Sequence, residues 1–279
     1  MEQFKSGWKR NYYGKGDVTV YRLRRKGGKS PVFGANVKML LYGDAFWPTY
    51  TKGDNTGLIA TDSMKNFIQR ETLNFKGDDL EAYILFLAEP FLAKYKQAEG
   101  IQITATEIPY VGIETGEVAF APTGPDTAFA SIELQQSNKP DFTSGLKGYK
   151  LLRLRGSAFH GFVRDEYTTL PDLMDRPLHM WLDLSWTYVD GNAALSKGKV
   201  TAKVRKLVHS IFHKFESGSI QEVIYKLGTK MLTDIPAIAE IHLEANNRTW
   251  DTITEGKDMV GIYTEARPPY GCLGLRLKR

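Results

Sequence analysis

The sequence predicts an α+β fold in which antiparallel sheets carry two helices packed on one face. The order strand–strand–helix–helix–strand–strand occurs twice along the 279 residues, and the helical segments carry apolar residues at helical spacing. We place the boundary between the repeats within the polar stretch 137–147, which gives domains at 1–142 and 143–279. Since two helices cover only one face of a sheet, the uncovered face predicts an oligomer.

The first repeat begins with two extended runs between residues 18 and 41, joined by a Gly-Gly turn. A helical pattern then starts at residues 61–63, three residue types that favour helix N-caps. A second helical pattern starts at residues 78–79, and Pro90 is expected to bend it or reset its register. Extended segments return at 101–113 and 118–134.

The second repeat follows the same order with different residues. Its predicted elements are strands at 151–163 and 178–189, helices at 200–215 and 220–231, and strands at 238–243 and 259–277. Pro236 is expected to stop the second of these helices. The agreement between the two halves favours a tandem repeat.

Composition excludes several classes of protein. Cys272 is the only cysteine, so an intramolecular disulfide is impossible and a cysteine-based metal site is disfavoured. No apolar run approaches the roughly 20 residues of a membrane-spanning helix, and residues 1–10 lack the apolar core of a secretory signal. We therefore expect a cytoplasmic protein without membrane contact.

Basic residues exceed acidic ones, with a net charge of +5 and a pI of about 9.0. Five of them surround Gly27-Gly28: Arg22, Arg24, Arg25, Lys26 and Lys29. We interpret this cluster as a solvated hairpin tip rather than a nucleic-acid surface, because the overall excess is small. His209 and His213 have the spacing of two metal ligands on a helix, but no third ligand accompanies them, so ordinary helix surface is favoured.

Several segments are not explained by composition or periodicity. They are residues 13–15, 60–66, 157–170, 175–176, 220–221 and 267–271. The strings Ala-Thr-Asp-Ser-x-Lys-Asn at 60–66 and Phe-x-Gly-Phe-x-Arg-Asp-x-Tyr-Thr-Thr-Leu at 159–170 are highly specific. In these segments, and in their order over nearly the whole chain, the sequence resembles the urate oxidases (uricases) of the bacterial type.

The resemblance implies tandem tunnelling-fold (T-fold) domains and a homotetramer whose sheets line a tunnel, with active sites between subunits. It also implies a reaction without metal or cofactor, in which uric acid, dioxygen and water give 5-hydroxyisourate and hydrogen peroxide. The partners expected on this basis are urate, dioxygen and further copies of the chain.

By resemblance, urate contacts seven residues: Thr61, Asp62, Phe159, Arg176, Ile220, Gln221 and Asn246. Arg176 and Gln221 would form a purine clamp, because a guanidinium and a carboxamide present forked polar groups to the ring edge. Phe159 would stack on the purine face. Taken singly, Phe159 would be interpreted as a core aromatic and Arg176 as an ion-pair partner of Asp175, but the ordered set of site residues favours the purine site.

The catalytic residues implied by the resemblance are Lys15, Thr61, Asn246 and Arg248. Lys15 and Thr61 would handle the proton, and Asn246 would help to hold dioxygen, peroxide or water. Because Lys15 and Thr61 lie in the first half and the purine clamp in the second, the site is expected to span two subunits.

Arg248 departs from the family pattern, in which a histidine that relays protons follows the asparagine by two positions. A guanidinium stays protonated, so it cannot relay protons. We hypothesise that its charge repels a proton from Lys15 and keeps that lysine basic. His242 lies on the same predicted strand, four residues before Asn246. The alternatives are a sister oxidase for another oxidised purine or pterin-like heterocycle, and a non-catalytic purine-binding T-fold protein.

Overall fold

The computed structural model describes residues 11–26, 31–114, 118–136, 138–196, 200–258 and 260–279. The strands are β1 Tyr13–Leu23, β2 Val32–Tyr42, β3 Gly100–Glu107, β4 Tyr110–Gly112, β5 Phe120–Pro122, β6 Thr127–Gln135, β7 Asp141–Arg153, β8 Leu178–Tyr188, β9 Ile238–Thr249, β10 Thr252–Glu255, β11 Gly261–Tyr263 and β12 Arg267–Lys278. The helices are α1 Trp47–Lys52, α2 Thr61–Thr72, α3 Leu80–Lys94, α4 Gly191–Ala194, α5 Val200–Lys214 and α6 Ile220–Asp234.

By packing, the chain forms two compact units. The first runs to Gly145 and also includes Thr187–Lys199, and the second comprises Leu146–Trp186 and Val200–Arg279. The α+β class with antiparallel strands and few helices is confirmed in both units. The boundary between residues 142 and 143 was placed on sequence repeats and stays a prediction.

In the first unit the neighbouring strands are β1, β2, β3 and β6, each pair antiparallel. Alternate residues of β2 are fully buried, among them Val37, Met39 and Leu41, so one face of this sheet is apolar. Helix α2 lies against β1, while α3 lies against β3 and β6. Met64 and Ile68 of α2 are fully buried, which confirms the predicted apolar face of that helix.

In the second unit the neighbouring strands are β7, β8, β9 and β12, and β9 pairs with β12 in antiparallel register. Helix α6 lies against β9 and β12, and α5 packs on α6. The contact between α6 and β9 is apolar on both sides. Leu227 and Met231 of the helix and Ile241 and Leu243 of the strand are all fully buried. The even-numbered residues His242 and Glu244, by contrast, are exposed on the opposite face of β9.

One predicted strand near the middle of the chain was wrong. The strand predicted at 151–163 ends at Arg153, and residues 154–177 are mostly irregular, with left-handed glycines at Gly156 and Gly161. Alternating apolar residues indicated a strand there, but the turns at the two glycines interrupt the pairing. Strand β7 begins at Asp141, within the stretch 137–147, and the two compact units divide within the same stretch, between Gly145 and Leu146.

Helix α2 begins as predicted at Thr61, but its capping differs. The N-cap residue is Ala60, and no side chain caps the helix. By comparison, Asp79 caps α3 by accepting a bond from Ala82 N at 2.9 Å, and α3 continues through Pro90 to Lys94. The short helices α1 and α4 were not predicted, because each is too short to show a helical period.

The buried position of Arg22 contradicts the prediction that the basic cluster around Gly27-Gly28 is a solvated hairpin tip. Its side chain lies on the buried face of β1 with Val18 and Val20, and only 8% of the residue is exposed. The guanidinium donates to the carbonyls of Phe75 and Gly77, at 2.5 and 2.9 Å. Burial lowers the pKa of this guanidinium. Residues Gly27, Gly28 and Lys29 of the proposed tip lie outside the described residues.

Among the described residues, no helix is both long and apolar enough to cross a membrane.

Candidate active site

The start of α2 presents free backbone donors in the first unit. The intrahelical bonds begin with Ser63 N and Met64 N, which both donate to the carbonyl of Ala60. The N–H groups of Thr61 and Asp62 therefore have no acceptor within the helix, as expected for the first turn of a helix. Together with the helix dipole, these donors favour a planar anion at this position.

The carboxylate of Asp62 is held on the helix surface. It accepts bonds from Lys65 Nζ at 2.6 Å and Asn66 Nδ2 at 2.8 Å. Lys65 chiefly lowers the pKa of this carboxyl, and the charge of Lys15 contributes in the same direction. Lys15 lies on β1, and α2 packs against this strand. The meeting of Lys15 with Thr61 stays a prediction.

The position of Lys15 depends on an irregularity in β1. The pairing of β1 with β2 shifts register between Lys15 and Val18, and Asp17 has a positive φ of 57°. Such bulges re-aim neighbouring side chains. Just before Lys15, Gly14 passes so close to β2 that a Cβ would lie 1.9 Å from the carbonyl oxygen of Met39.

Tyr13 connects β1 to the segment that precedes α2, a role that sequence reasoning missed. Its hydroxyl accepts a bond from Ile59 N at 3.0 Å, and its ring packs edge-on against Phe46 at 5.0 Å. Burial raises the pKa of Tyr13 to about 12, so the hydroxyl stays protonated at neutral pH. In the sequence, this role of Tyr13 is indicated by its position two residues before Lys15.

In the second unit, the irregular segment 154–177 is tied to the start of α6. Ser157 and Ser217 form a parallel bridge, in which Ala158 N donates to Ser217 O at 2.8 Å and Ser217 N donates to Gly156 O at 3.1 Å. Ser157 and Ser217 are both buried. This bridge holds the segment that carries Phe159 beside the residues that open α6.

Arg176 is bonded into the same segment through its backbone. Its N–H donates to Ser157 O at 2.9 Å, and its Cζ atom lies 5.5 Å from the centre of the Phe159 ring. Within the described part of the chain, the buried Nε atom of Arg176 has no hydrogen-bond partner. Burial lowers the pKa of the Arg176 guanidinium. The side chain is therefore held over an aromatic face with a donor still available.

The surroundings of Phe159 and Arg176 differ from those of a core aromatic and of an ion pair with Asp175. Asp175 Oδ1 accepts bonds from Gly156 N at 2.6 Å and Ser157 N at 3.3 Å, so it stabilises the segment backbone instead of pairing with Arg176. Phe159 is half-buried and stacks on Phe162 at 5.0 Å, and its backbone pairs with Leu173. Neither residue belongs to the fully buried core.

Helix α6 has a complete N-terminal cap. Ser219 Oγ accepts a bond from Glu222 N at 3.2 Å, and Glu222 Oε2 accepts one from Gly218 N at 2.8 Å. Ile220 and Gln221 are the first two helical residues, so their N–H groups precede the intrahelical bonds. Ile220 is buried, whereas Gln221 is exposed and can reach a ligand.

Asn246 and Arg248 lie on β9, on the face away from the helices. Asn246 pairs with Cys272 of β12. The guanidinium of Arg248 lies between two rings, with Cζ at 4.1 Å from the centre of Trp181 and 4.0 Å from that of Tyr270. His242 shares this face, but its position four residues before Asn246 corresponds to about 13 Å of extended strand.

The histidine pair considered as metal ligands has a different environment. His209 Nε2 forms a 2.5 Å hydrogen bond with the hydroxyl of Tyr149. Across the described ranges, no group of three or more potential metal ligands occurs.

The predicted site residues thus form three groups. Thr61 and Asp62 open α2, and Lys15 lies on β1, against which α2 packs. Ile220 and Gln221 open α6, and Phe159 and Arg176 lie on the irregular segment that is bridged to Ser217 just before this helix. Asn246 and Arg248 lie on β9. The N-terminus of each of these helices, and separately the half-buried guanidinium of Arg176, can donate hydrogen bonds to an anionic ligand.

The architecture is that of a tandem T-fold protein, and comparison with known proteins specifies the family. Residues 11–133 and 142–272 match the family model described as Uricase. The chain belongs to the uricase family.

Individual relatives agree with this assignment. The chain is 36% identical to the uric acid degradation bifunctional protein of Bacillus sp. TB-90, over 93% of this chain and 58% of that protein. It therefore spans less than three fifths of that bifunctional relative. It is 34% identical to the uricase of Haloferax volcanii, over 88% of this chain and 90% of the relative. A crystal structure of the Bacillus sp. TB-90 urate oxidase matches with a TM-score of 0.88, at 33% identity, over 96% of this chain and all of that one.

Proposed function

We propose that this chain is a cofactor-independent urate oxidase, which converts uric acid, dioxygen and water into 5-hydroxyisourate and hydrogen peroxide. The observation that carries the proposal is the arrangement of Arg176 over Phe159, beside the start of α6. Membership of the uricase family supports the same substrate.

Urate is an anion at neutral pH, and the chain offers matching groups. Arg176 donates from its buried guanidinium to the ring edge, and Gln221 completes the purine clamp with a donor and an acceptor. Phe159 stacks on the purine face. The N–H groups of Thr61, Asp62 and Ile220 at two helix starts add donors for the anionic edges.

Lys15 and Thr61 handle the proton in this proposal. The Thr61 hydroxyl, or a water beside it, passes a urate proton to the Lys15 amine, which leaves an electron-rich ring. Two electrons then leave the ring for dioxygen, which takes up two protons to give hydrogen peroxide. Water supplies the hydroxyl group of the product, and Asn246 holds the oxygen species or the water through its amide.

The active unit is a homotetramer in this proposal. Lys15 and Thr61 of one subunit meet the purine clamp of another, so that each site is shared between two copies of the chain. A monomer is therefore inactive.

The first test measures urate consumption by purified, metal-stripped protein. Loss of urate absorbance with an equal amount of hydrogen peroxide supports the proposal, and light scattering reports the oligomeric state. Turnover of xanthine or 8-oxoguanine with no turnover of urate would instead indicate a sister oxidase. Tight urate binding without any turnover would indicate a non-catalytic binding protein.

A further inference from the structure

Arg248 on β9 packs against two aromatic rings, an environment that an ordinary surface arginine does not have. Its Cζ atom lies 4.1 Å from the centre of the Trp181 ring of β8 and 4.0 Å from the centre of the Tyr270 ring of β12. We call Trp181, Arg248 and Tyr270 the Arg248 sandwich. The rings contact the guanidinium through their π systems, so its N–H groups remain available as donors to a ligand.

Trp181 is itself held in place by its neighbours. Its Nε1 donates to His179 Nε2 at 3.4 Å, and the Lys150 ammonium lies 4.6 Å from its ring centre. His179 stacks on Trp250 at 5.6 Å. Burial, followed by the charges of Lys150 and Arg248, lowers the pKa of His179, so at neutral pH its imidazole is neutral and can accept the indole bond. The Trp181 ring of the Arg248 sandwich is therefore contacted by two neighbouring side chains, those of His179 and Lys150.

The guanidinium of Arg248 also carries a donor that has no partner among the described residues. The Nε atom of Arg248 is buried, and among the described residues it has no hydrogen-bond partner. A buried donor without a partner is unfavourable, and an acceptor atom of a bound ligand would satisfy it. Asn246 lies two residues earlier on the same strand face, at roughly 7 Å by strand geometry.

We propose that Trp181 and Tyr270 are positioning residues, which orient the in-plane donors of Arg248 toward a small anionic oxygen species held at Asn246. This inference rests on the proposed function and names the ligand of one part of that site. Arg248 supplies charge and hydrogen bonds to reduced dioxygen. The electrons and protons that complete hydrogen peroxide come from urate and water, as in the reaction above.

The test compares Trp181→Leu, Tyr270→Leu and Arg248→Met with the double variants that combine each ring change with Arg248→Met. Each single variant is expected to lower kcat about tenfold and to raise KM for dioxygen, while KM for urate stays within about twofold. In the Arg248→Met background the ring changes are expected to have no further effect, because the rings act through Arg248.

Two further variants separate positioning from stability. Tyr270→Phe keeps the stacked ring and is expected to recover most of the rate that Tyr270→Leu loses. Tyr270 is 46% exposed, so its replacement leaves the core intact, and the Tyr270 variants carry the test if Trp181→Leu does not fold. Tyr95→Leu is the matched control, since it removes a ring that lies 5.2 Å from the Lys94 ammonium, outside the proposed site.

The possible outcomes have distinct meanings. Additive losses in the double variants, or a change confined to KM for urate, would overturn the positioning role while leaving the proposed function intact. A wild-type protein that does not oxidise urate would overturn the proposed function and this inference with it.

Discussion

Arg176 and Phe159 come from opposite ends of an irregular segment, yet the Arg176 Cζ atom lies 5.5 Å from the centre of the Phe159 ring. The backbone bond from Arg176 N to Ser157 O holds them together, and Ser157 is bridged to Ser217 before α6. The arrangement is thus held by backbone hydrogen bonds of the segment itself. A site held by its own backbone bonds loses less conformational entropy when a ligand binds.

The planar fork of Arg176 is expected to matter more than its charge. Arg176→Lys keeps the positive charge but loses the two parallel donors, so KM for urate is expected to rise by about tenfold or more. Steady-state kinetics at saturating oxygen measure this change. Arg155→Lys makes the same replacement at an exposed position of the segment and is the control. Equal KM values for the two variants would contradict the role of Arg176 in the purine clamp.

Gly14 is expected to be required for the close pairing of β1 and β2 beside Lys15. A Cβ at this position would lie 1.9 Å from Met39 O, so Gly14→Ala must displace the strand backbone. We expect a loss of about 1–3 kcal/mol in the free energy of unfolding, together with reduced activity. Chemical denaturation and urate turnover measure both effects.

Gly16→Ala is the control for this experiment on the same strand. Its Cβ would have ordinary contact with Lys38 Cγ at 3.7 Å, so the stability should change little. If Gly14→Ala and Gly16→Ala were equally stable, the steric explanation for Gly14 would be wrong.

Because the hydroxyl of Tyr83 is buried, we expect the protein to become less stable in alkaline solution. Burial raises the pKa of its hydroxyl from 10.0 to about 12, although the bond with Thr72 acts in the opposite direction. Below pH 10.0 the hydroxyl is neutral in the folded and unfolded chains, so its contribution is fully present. Above that pH the unfolded chain loses the proton first. The free energy of unfolding therefore falls by about 1 kcal/mol per pH unit until the folded pKa is reached.

Urea unfolding at neutral and alkaline pH tests this contribution of Tyr83. Tyr83→Phe removes the titrating group and is expected to show a smaller alkaline decline than the wild type. Tyr225→Phe, at a position that is 56% exposed, is expected to decline like the wild type. The same alkaline decline in Tyr83→Phe and the wild type would show that Tyr83 does not contribute.

A site shared between subunits predicts complementation between inactive variants. Lys15→Met removes the proposed proton acceptor, and Arg176→Ala removes part of the purine clamp. In mixed tetramers, about a quarter of the sites would combine an intact Lys15 with an intact Arg176 from different chains. Unfolding, mixing and refolding the two variants should therefore restore measurable urate oxidation. No recovery in tetramers shown to be mixed would indicate that each site belongs to a single chain.

Much of the architecture could be predicted from the sequence, because periodic apolar residues report directly on local structure. The apolar faces of α2 and α6 led to correct helix positions, and the repeat led to the correct fold class. The same logic failed at residues 154–177, where alternating apolar residues do not form a strand. There the left-handed glycines and the bonds to Ser217 decide the path of the chain.

Charged residues show the limit of sequence interpretation most clearly. Arg22 stands in a basic cluster that indicated a solvated turn, but its guanidinium is buried against the carbonyls of Phe75 and Gly77. Those partners lie more than fifty positions away in sequence, so no local pattern reports them. The buried environment of Arg22 follows from its even-numbered place on β1, which becomes informative only once the buried face is known.

The sequence by itself determined the repeat, the positions of α2, α3, α5 and α6, and the residue types of the candidate site, since these depend on local periodicity and on specific motifs. Only the tertiary structure decided that Arg248 lies close to the rings of Trp181 and Tyr270, and that Arg176 lies over Phe159 with an Nε atom that has no partner among the described residues. The physical reason is that stacking and burial depend on distances between residues far apart in the chain. Those distances are set by strand pairing and helix packing over the whole unit.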